Sequence, residues 1–136
     1  MTTYALDTNI VSYYLRKSRN NIIDKRIDAE IHLENKIVIP NVVYYEIRRG
    51  LLSVFSPIKT KLFNQFCTTF KVGLMDCKTS EIAASIYAKL KKLGSAVEDA
   101  DIFIAAFCLQ NDYTLVTNNV RHFENIDTLK IVNWIE

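Results

Sequence analysis

Apolar residues along the chain alternate between short continuous runs and longer stretches in which they recur every three or four positions. The short runs predict buried strands, and the longer spacing predicts amphipathic helices. Helical spacing fills the first three intervals between the predicted strands. The strands are expected at Tyr4–Leu6, Ile37–Ile39, Val72–Met75, Thr114–Thr117 and Lys130–Trp134.

Local signals predict where several helices begin and end. Asn41 is expected to cap the helix after the second strand, and Thr79 or Ser80 to cap the helix that ends near Gly94. The stretch from Ile102 to about Leu109 is apolar almost all round, which predicts a buried central helix.

Strands separated by helices require crossover connections, which produce a parallel β-sheet covered by helices on both faces. The 136 residues suffice for one domain with a core of its own. No repeat or linker interrupts them. We therefore predict an α/β fold, a three-layer α/β/α sandwich with a parallel sheet, as a single domain over residues 1–136.

Composition and charge narrow the function only slightly. Hydrophobic residues make up 49% and charged residues 24%, as in ordinary globular proteins. A formal net charge of +2 argues against a protein that coats nucleic acid, but not against an enzyme that binds a substrate briefly. The N-terminus does not resemble a signal peptide, and the longest apolar run is too short to span a membrane. The three cysteines form no C-x-x-C pair, so a cytoplasmic protein is expected.

Several well-known catalytic motifs are missing from the sequence. Three glycines are too few for a P-loop or a dinucleotide-binding fingerprint, and no G-x-S-x-G motif is present. His32 and His122 have no companion at zinc-ligand spacing, so we expect both to be ordinary surface or partly buried residues.

Four polar residues are expected near one edge of the predicted sheet. Asp7 directly follows the first strand, Glu46 lies about one turn into a helix, Asp101 lies in the first turn of the buried helix, and Asn119 follows the fourth strand. Ligands of open parallel sheets bind beyond the carboxyl ends of the strands. Each acid also has a structural interpretation: a helix cap for Asp7, a solvated helix position for Glu46 and a favourable first-turn charge for Asp101.

The convergence of these acids favours the functional interpretation. Carboxylates gathered at one place repel one another unless a cation neutralises them. Mg²⁺ and Mn²⁺ prefer oxygen ligands and combine a few carboxylates with water and substrate phosphate. Such a cluster is suited to metal-assisted hydrolysis of a phosphodiester.

Short motifs in a fixed order carry a resemblance to a known family. They are L-D-T-N, E-I-R-R-G, D-I-F-I-A-A, L-V-T-N-N-V-R-H-F and K-I-V-N-W, at Leu6–Asn9, Glu46–Gly50, Asp101–Ala106, Leu115–Phe123 and Lys130–Trp134. Together they resemble the PIN-domain toxins of the VapC type, ribonucleases of bacterial toxin–antitoxin pairs. The resemblance covers essentially the whole chain.

The resemblance implies a homodimeric endoribonuclease that depends on Mg²⁺ or Mn²⁺ and is inhibited by a cognate VapB-like antitoxin. By position, Asp7 and Asp101 would ligate the metal, and Glu46 would ligate it or order its water. Asn119 would complete the site at a position that is often Asp, which implies weaker binding of any second metal. Asp99 is a nearby competitor of Asp101 but fits better as a helix cap.

Two other functions stay open at this point. D-T-N after a strand also resembles the nucleophile motif of HAD-like phosphatases, although Asn9 stands where a second acid is needed. A non-catalytic PIN-like binding protein is the other alternative. Arg48 and Arg49 indicate either a solvated helix face or a contact for phosphate or an antitoxin tail. The RNA target is not encoded in any motif.

Overall fold

A parallel β-sheet forms the centre of the molecule. The structure is a computed structural model, and it describes residues 1–16 and 21–135. The strands of that part pair in the order β3-β2-β1-β4-β5, every pair parallel. They are β1 (Thr3–Leu6), β2 (Lys36–Pro40), β3 (Lys71–Gly73), β4 (Thr114–Val116) and β5 (Ile131–Val132).

Helices cover both faces of this sheet, as predicted. Strands β1 to β3 are added towards one edge of the sheet, and β4 and β5 towards the other. Right-handed crossovers therefore place α1 to α4 on one face and α5 and α6 on the other, which confirms the three-layer α/β/α sandwich. Within the described residues the helices are α1 (Thr8–Tyr14), α2 (Ile22–His32), α3 (Asn41–Ser53), α4 (Pro57–Thr69), α5 (Cys77–Lys92), α6 (Asp99–Asn111) and α7 (Val120–Phe123).

The most apolar elements lie at the middle of the sandwich. Ala5 and Leu6 of β1 are fully buried, and the apolar residues of β2 are buried as well. Strands covered on both faces need continuous rather than alternating apolar residues. Helix α6 buries six of its residues, which confirms the predicted central helix. None of the helices in the described ranges is both long and apolar enough to cross a membrane.

The predicted caps of two helices are wrong. Helix α5 begins at Cys77, and Asp76 is its N-cap: Thr79 N–H donates to Asp76 Oδ1 at 3.1 Å, and Asp76 N–H donates to Thr79 Oγ1 at 3.0 Å. Thr79 thus closes the capping box from inside the helix. In α3, Asn41 is the first helical residue, and its side chain forms no cap bond. The end near Gly94 is confirmed, because Gly94 adopts φ +70° there.

Several short elements differ from the sequence prediction. Strand β3 covers Lys71–Gly73 rather than Val72–Met75, and Leu74 is 79% exposed. Strand β4 ends at Val116 rather than Thr117, and β5 covers only Ile131–Val132 rather than Lys130–Trp134. Helix α7 was not predicted, because its four residues are too few to show a helical period. Its anchor is Phe123, whose side chain is fully buried.

Gly73 provides a test of how closely β3 approaches α6. A Cβ at Gly73 would overlap the ring of buried Phe107, whereas a Cβ at Gly50, in α3, would meet nothing within 4 Å. We expect Gly73→Ala to lower the free energy of unfolding by about 1–3 kcal/mol through overpacking. The control Gly50→Ala should raise it by about 0.5–1 kcal/mol, because glycine is unfavourable inside a helix. Urea unfolding measures both; a Gly73→Ala protein as stable as the parent would contradict this packing.

Candidate active site

Asp7 lies at the point where the strand order reverses, between β1 and β4. The residue is only 3% exposed, and three donors surround its carboxylate. Thr8 N–H donates to Oδ1 at 2.8 Å, while the Thr117 hydroxyl at 2.7 Å and Asn9 Nδ2 at 3.1 Å donate to Oδ2. Asp7 is therefore the N-cap of α1 and also a buried carboxylate at the carboxyl edge of the sheet.

Burial and a neighbouring acid oppose the ionised form of Asp7. Desolvation raises the pKa of its carboxyl above the ordinary value, and the negative charge of Asp101 raises the pKa further. The hydrogen bonds from Thr117, Thr8 and Asn9 act in the opposite direction. The net shift of the pKa is upward, so a cation bound beside Asp7 would stabilise its ionised form.

Glu46 joins this site through its contact with Thr8. The Thr8 hydroxyl donates to Glu46 Oε1 at 2.7 Å, which fixes an α3 side chain next to the start of α1. Arg49 Nη2 lies 3.6 Å from Glu46 Oε2, but the arginine side chain is 59% exposed, so this ion pair adds little stability. Glu46 is therefore an oriented side chain rather than a freely solvated one.

Asp101 approaches from the first turn of α6. Its side chain is 18% exposed, and His122 Nδ1 lies 3.0 Å from its Oδ2. Burial raises the pKa of Asp101, the hydrogen bond and charge of His122 lower it, and the charges of Glu98 and Glu46 raise it. The charge of Asp101 thus raises the pKa of Asp7, and the charge of Glu46 raises the pKa of Asp101.

Asp99 occupies a different position from the one predicted for it. Glu98 is the N-cap of α6, and Asp99 is the first helical residue and exposed, so its assignment as the cap is wrong. It stands two positions before Asp101, which places the two side chains on different sides of the helix. Asp101 is the acid whose charge raises the pKa of Asp7.

Asn119 lies beside the site, in the turn after β4. Its backbone N–H donates to Thr117 Oγ1 at 3.0 Å, and its side chain is exposed. The preceding Asn118 fastens the same turn: its N–H donates to Asn9 Oδ1 at 2.9 Å, and its own Oδ1 accepts from Asn133 at 3.1 Å. The structure thus brings Asn119 to the correct edge of the sheet, and its chemical role stays a prediction.

The arrangement of donors fits a hard cation held by few protein ligands. In residues 1–16 and 21–135, no three or more His, Cys, Asp or Glu side chains gather into a group that could hold a metal by itself. Mg²⁺ commonly needs only one or two carboxylates, with water and substrate phosphate as its other ligands. Asp7 and Asp101 meet that smaller requirement with oxygen atoms alone. The full ligand set of Asp7, Glu46 and Asp101 stays a prediction.

Four residues of the site were missed in the sequence. Asn9 donates to the nearby Asp7, and Thr8, Thr117 and His122 each hold one of the acids by a hydrogen bond over a longer separation. These last three residues lie inside the motifs that carry the family resemblance, and that position was the one sign in the sequence that they belong to the site. Their contacts join positions 21 to 110 residues apart, so no local pattern could have revealed them.

The two arginines after Glu46 have different surroundings. Arg48 is half-buried, with its guanidinium 5.0 Å from the ring centroid of Tyr44 and 4.8 Å from that of Phe63. Arg49 is exposed and lies over Tyr45 at 5.2 Å. Arg48 is therefore a packing residue of the α3–α4 side, and Arg49 is the cation beside the acids.

Comparison with known proteins points to one family. The PIN domain matches residues 4–129. The chain is 28% identical to ribonuclease VapC2 of Rickettsia felis, over 96% of this chain and 97% of that protein. It is 30% identical to plasmid stability protein StbB of Pseudomonas syringae pv. tomato, over 95% and 96% of the two chains. The solved structure of VapBC-1 from nontypeable Haemophilus influenzae superposes with a TM-score of 0.86 and 25% identity, over 99% and 100%.

The upward pKa shifts lead to a prediction about the metal-free protein. A carboxyl whose pKa is higher in the folded state contributes stability below its ordinary value of 3.8, and this contribution is lost as the pH rises through the folded pKa. Asp101→Asn removes the charge and keeps an oxygen acceptor for His122. We therefore expect this variant to have a higher free energy of unfolding than the parent at pH 7, by a margin that shrinks towards pH 4.

Asp99→Asn is the matched control for that measurement. It removes a charge from the same helical turn, where the helix dipole favours acids, but from an exposed side chain. Urea unfolding of the three proteins in EDTA, between pH 4 and pH 7, compares them. If Asp101→Asn gains no more stability at pH 7 than Asp99→Asn, burial and repulsion do not destabilise the metal-free site.

Proposed function

The chain belongs to the PIN-domain family, and we propose that it is a divalent-metal-dependent endoribonuclease, the toxin of a toxin–antitoxin pair. The main support is the meeting of two buried or half-buried carboxylates, Asp7 from the end of β1 and Asp101 from α6, at the carboxyl edge of the sheet. Relatives that match over nearly their full length are VapC ribonucleases. RNA phosphodiesters are therefore the proposed substrate.

We assign the metal to Asp7 and Asp101. Their oxygens suit Mg²⁺ or Mn²⁺, and each carboxylate has one oxygen already fixed by a neighbouring side chain. When bound, the metal supplies an activated water and stabilises charge on the leaving oxygen. The raised pKa values of the two acids indicate an energetic cost that a bound cation would relieve.

The other residues of the site have complementary roles in this proposal. Glu46, oriented by Thr8, ligates the metal or orders the attacking water. Asn119 completes the site from the turn after β4, with an amide that attracts a cation less strongly than a carboxylate does. Arg49 is an exposed guanidinium near Glu46 and is available to contact an RNA phosphate.

The two alternative functions are less well supported. Matching of the PIN domain to residues 4–129 leaves the phosphatase alternative without support. A purely binding PIN-like protein would not need three acids at one edge of the sheet, each oriented by the side chain of Thr8, Thr117 or His122. A metal-dependent enzyme needs such oriented acids to hold its metal ion.

Metal-dependent cleavage of RNA is the direct test. We expect cleavage with Mg²⁺ or Mn²⁺, none in EDTA, and binding of Ca²⁺ without turnover. Asp101→Asn should lower kcat at least ~100-fold, because a metal ligand supports several kcal/mol of transition-state stabilisation. Asp99→Asn should stay within a few-fold of the parent. Activity in Asp101→Asn together with a dead Asp99→Asn would move the third acid to Asp99, and an aspartyl-phosphate trapped on Asp7 would identify a phosphatase instead.

An antitoxin of the VapB type is the proposed partner, and a homodimer is the proposed assembly. Similar solved structures are those of VapBC-1 from Haemophilus influenzae and FitAcB from Neisseria gonorrhoeae, at 25% and 26% identity. The acidic site offers such a partner a simple means of inhibition. A basic side chain placed among the carboxylates would replace the metal's charge, and desolvation would strengthen the attraction.

We therefore expect the protein to arrest growth of its host when expressed alone and to be neutralised by the product of a neighbouring small gene. An Arg or Lys in the partner's tail should be essential for inhibition. The test is to replace each basic residue of that tail and measure both binding and residual ribonuclease activity. Full inhibition by every such variant would favour simple occlusion and contradict the basic-residue mechanism.

A further inference from the structure

His122 is an exposed imidazole whose only described side-chain hydrogen bond is to an acid of the site. Its side chain is 55% exposed, and Nδ1 lies 3.0 Å from Asp101 Oδ2. We propose that His122 is a positioning residue that orients the Asp101 carboxylate so that Oδ1 faces the divalent metal. This inference rests on the proposed function and adds to it a residue that the sequence analysis treated as ordinary.

The direction of the hydrogen bond follows from the chemistry of the two groups. An ionised carboxylate only accepts hydrogen bonds, so Nδ1 of His122 carries the hydrogen that it donates to Oδ2. The terminal torsion of an aspartate is broad, and an unanchored carboxylate samples many orientations. One fixed oxygen removes that freedom before the metal arrives. Hydrogen-bonded partners of this kind commonly orient metal ligands in proteins.

The position of the imidazole is itself fixed by the turn after β4. The side chain of Phe123, next to His122, is fully buried and anchors the short α7. His122 N–H donates to the Asn119 carbonyl at 3.0 Å, and Asn119 N–H donates to Thr117 Oγ1 at 3.0 Å. The backbone that carries the ring is thus held by a series of hydrogen bonds that begins at the end of a core strand.

The same segment holds both proposed metal ligands. Thr117 donates its hydroxyl to Asp7 Oδ2, and His122 donates to Asp101 Oδ2. Asp7 and Asp101 belong to different elements, and the negative charge of Asp101 raises the pKa of the Asp7 carboxyl. Segment 117–123 therefore sets the relative placement of two like charges. A surface ion pair without such a role would contribute little.

His32 is a matched control within the chain. It is also an exposed histidine whose Nδ1 forms one short hydrogen bond, 2.8 Å to the Asp28 carbonyl. It ends α2, just before β2 begins, and so lies at the edge of the sheet opposite the acids. Removal of His32 changes the surface to a similar extent without touching the site.

Measuring metal binding directly distinguishes a positioning role of His122 from other roles. Calorimetric titration of the metal-free protein with Mn²⁺ should show a Kd about 10- to 100-fold higher for His122→Ala than for the parent, the usual cost of losing a partner of a metal ligand. His122→Asn should recover most of the affinity, because its amide N–H can occupy the place of Nδ1–H. His32→Ala should bind Mn²⁺ like the parent. Unfolding curves of the metal-free variants confirm that each is folded.

Kinetics at saturating Mn²⁺ complete the test. His122→Ala should lower kcat and leave the KM for RNA within about twofold, since a positioning residue makes no contact with the substrate. Unchanged Mn²⁺ affinity in His122→Ala, or an affinity that His122→Asn does not restore, overturns the inference. So does a rise in KM, which would mean that the ring contacts RNA. If the parent protein itself binds no Mn²⁺ and cleaves no RNA, the proposed function fails and this inference falls with it.

Discussion

Burial of one carboxylate at the end of the central strand is the constraint on which the site depends. A charge removed from water is costly unless donors surround it, and Asp7 obtains its donors from Thr8, Asn9 and Thr117. Thr117 follows the neighbouring strand, where Leu6 pairs with Val116. A one-residue slip of β4 would replace that hydroxyl by a valine or an asparagine and point every strand residue to the wrong face. Strand register and site geometry are therefore a single property of this fold.

The acids of the site also share one electrostatic requirement. Desolvation and the charges of neighbouring acids raise the pKa values of Asp7 and Asp101, so positive charge from any source is favoured there. In our proposal a metal ion provides it during catalysis, and a basic side chain of the partner provides it during inhibition. Activity and inhibition then compete for the same few oxygen atoms. That competition explains how a small partner can control the enzyme without changing its fold.

The sequence predicted the layers of the fold better than the helix ends and the turns. Apolar runs and helical spacing identified all five strands of the described residues, since both patterns repeat over several positions. The rule that ligands of parallel sheets bind beyond the carboxyl ends of the strands placed Asp7 and Asp101 at one edge, because it needs only the order of strands and helices. Helix α7 and the cap at Asp76 were missed, because each depends on a few residues with no periodicity. The contact between His122 and Asp101 depends on side-chain geometry, which no spacing encodes.

The parallel topology also affects the order in which the site is completed during synthesis. Asp7 is made well before its hydroxyl partner Thr117, which lies 110 residues further along the chain. At about 5–20 residues per second, the ribosome needs on the order of ten seconds to cover that distance. Until then the strand that must lie beside β1 does not exist, and Asp101 has no imidazole to hold it. A nascent chain therefore carries Asp7 without its partners until the segment from Thr117 to His122 has left the ribosome.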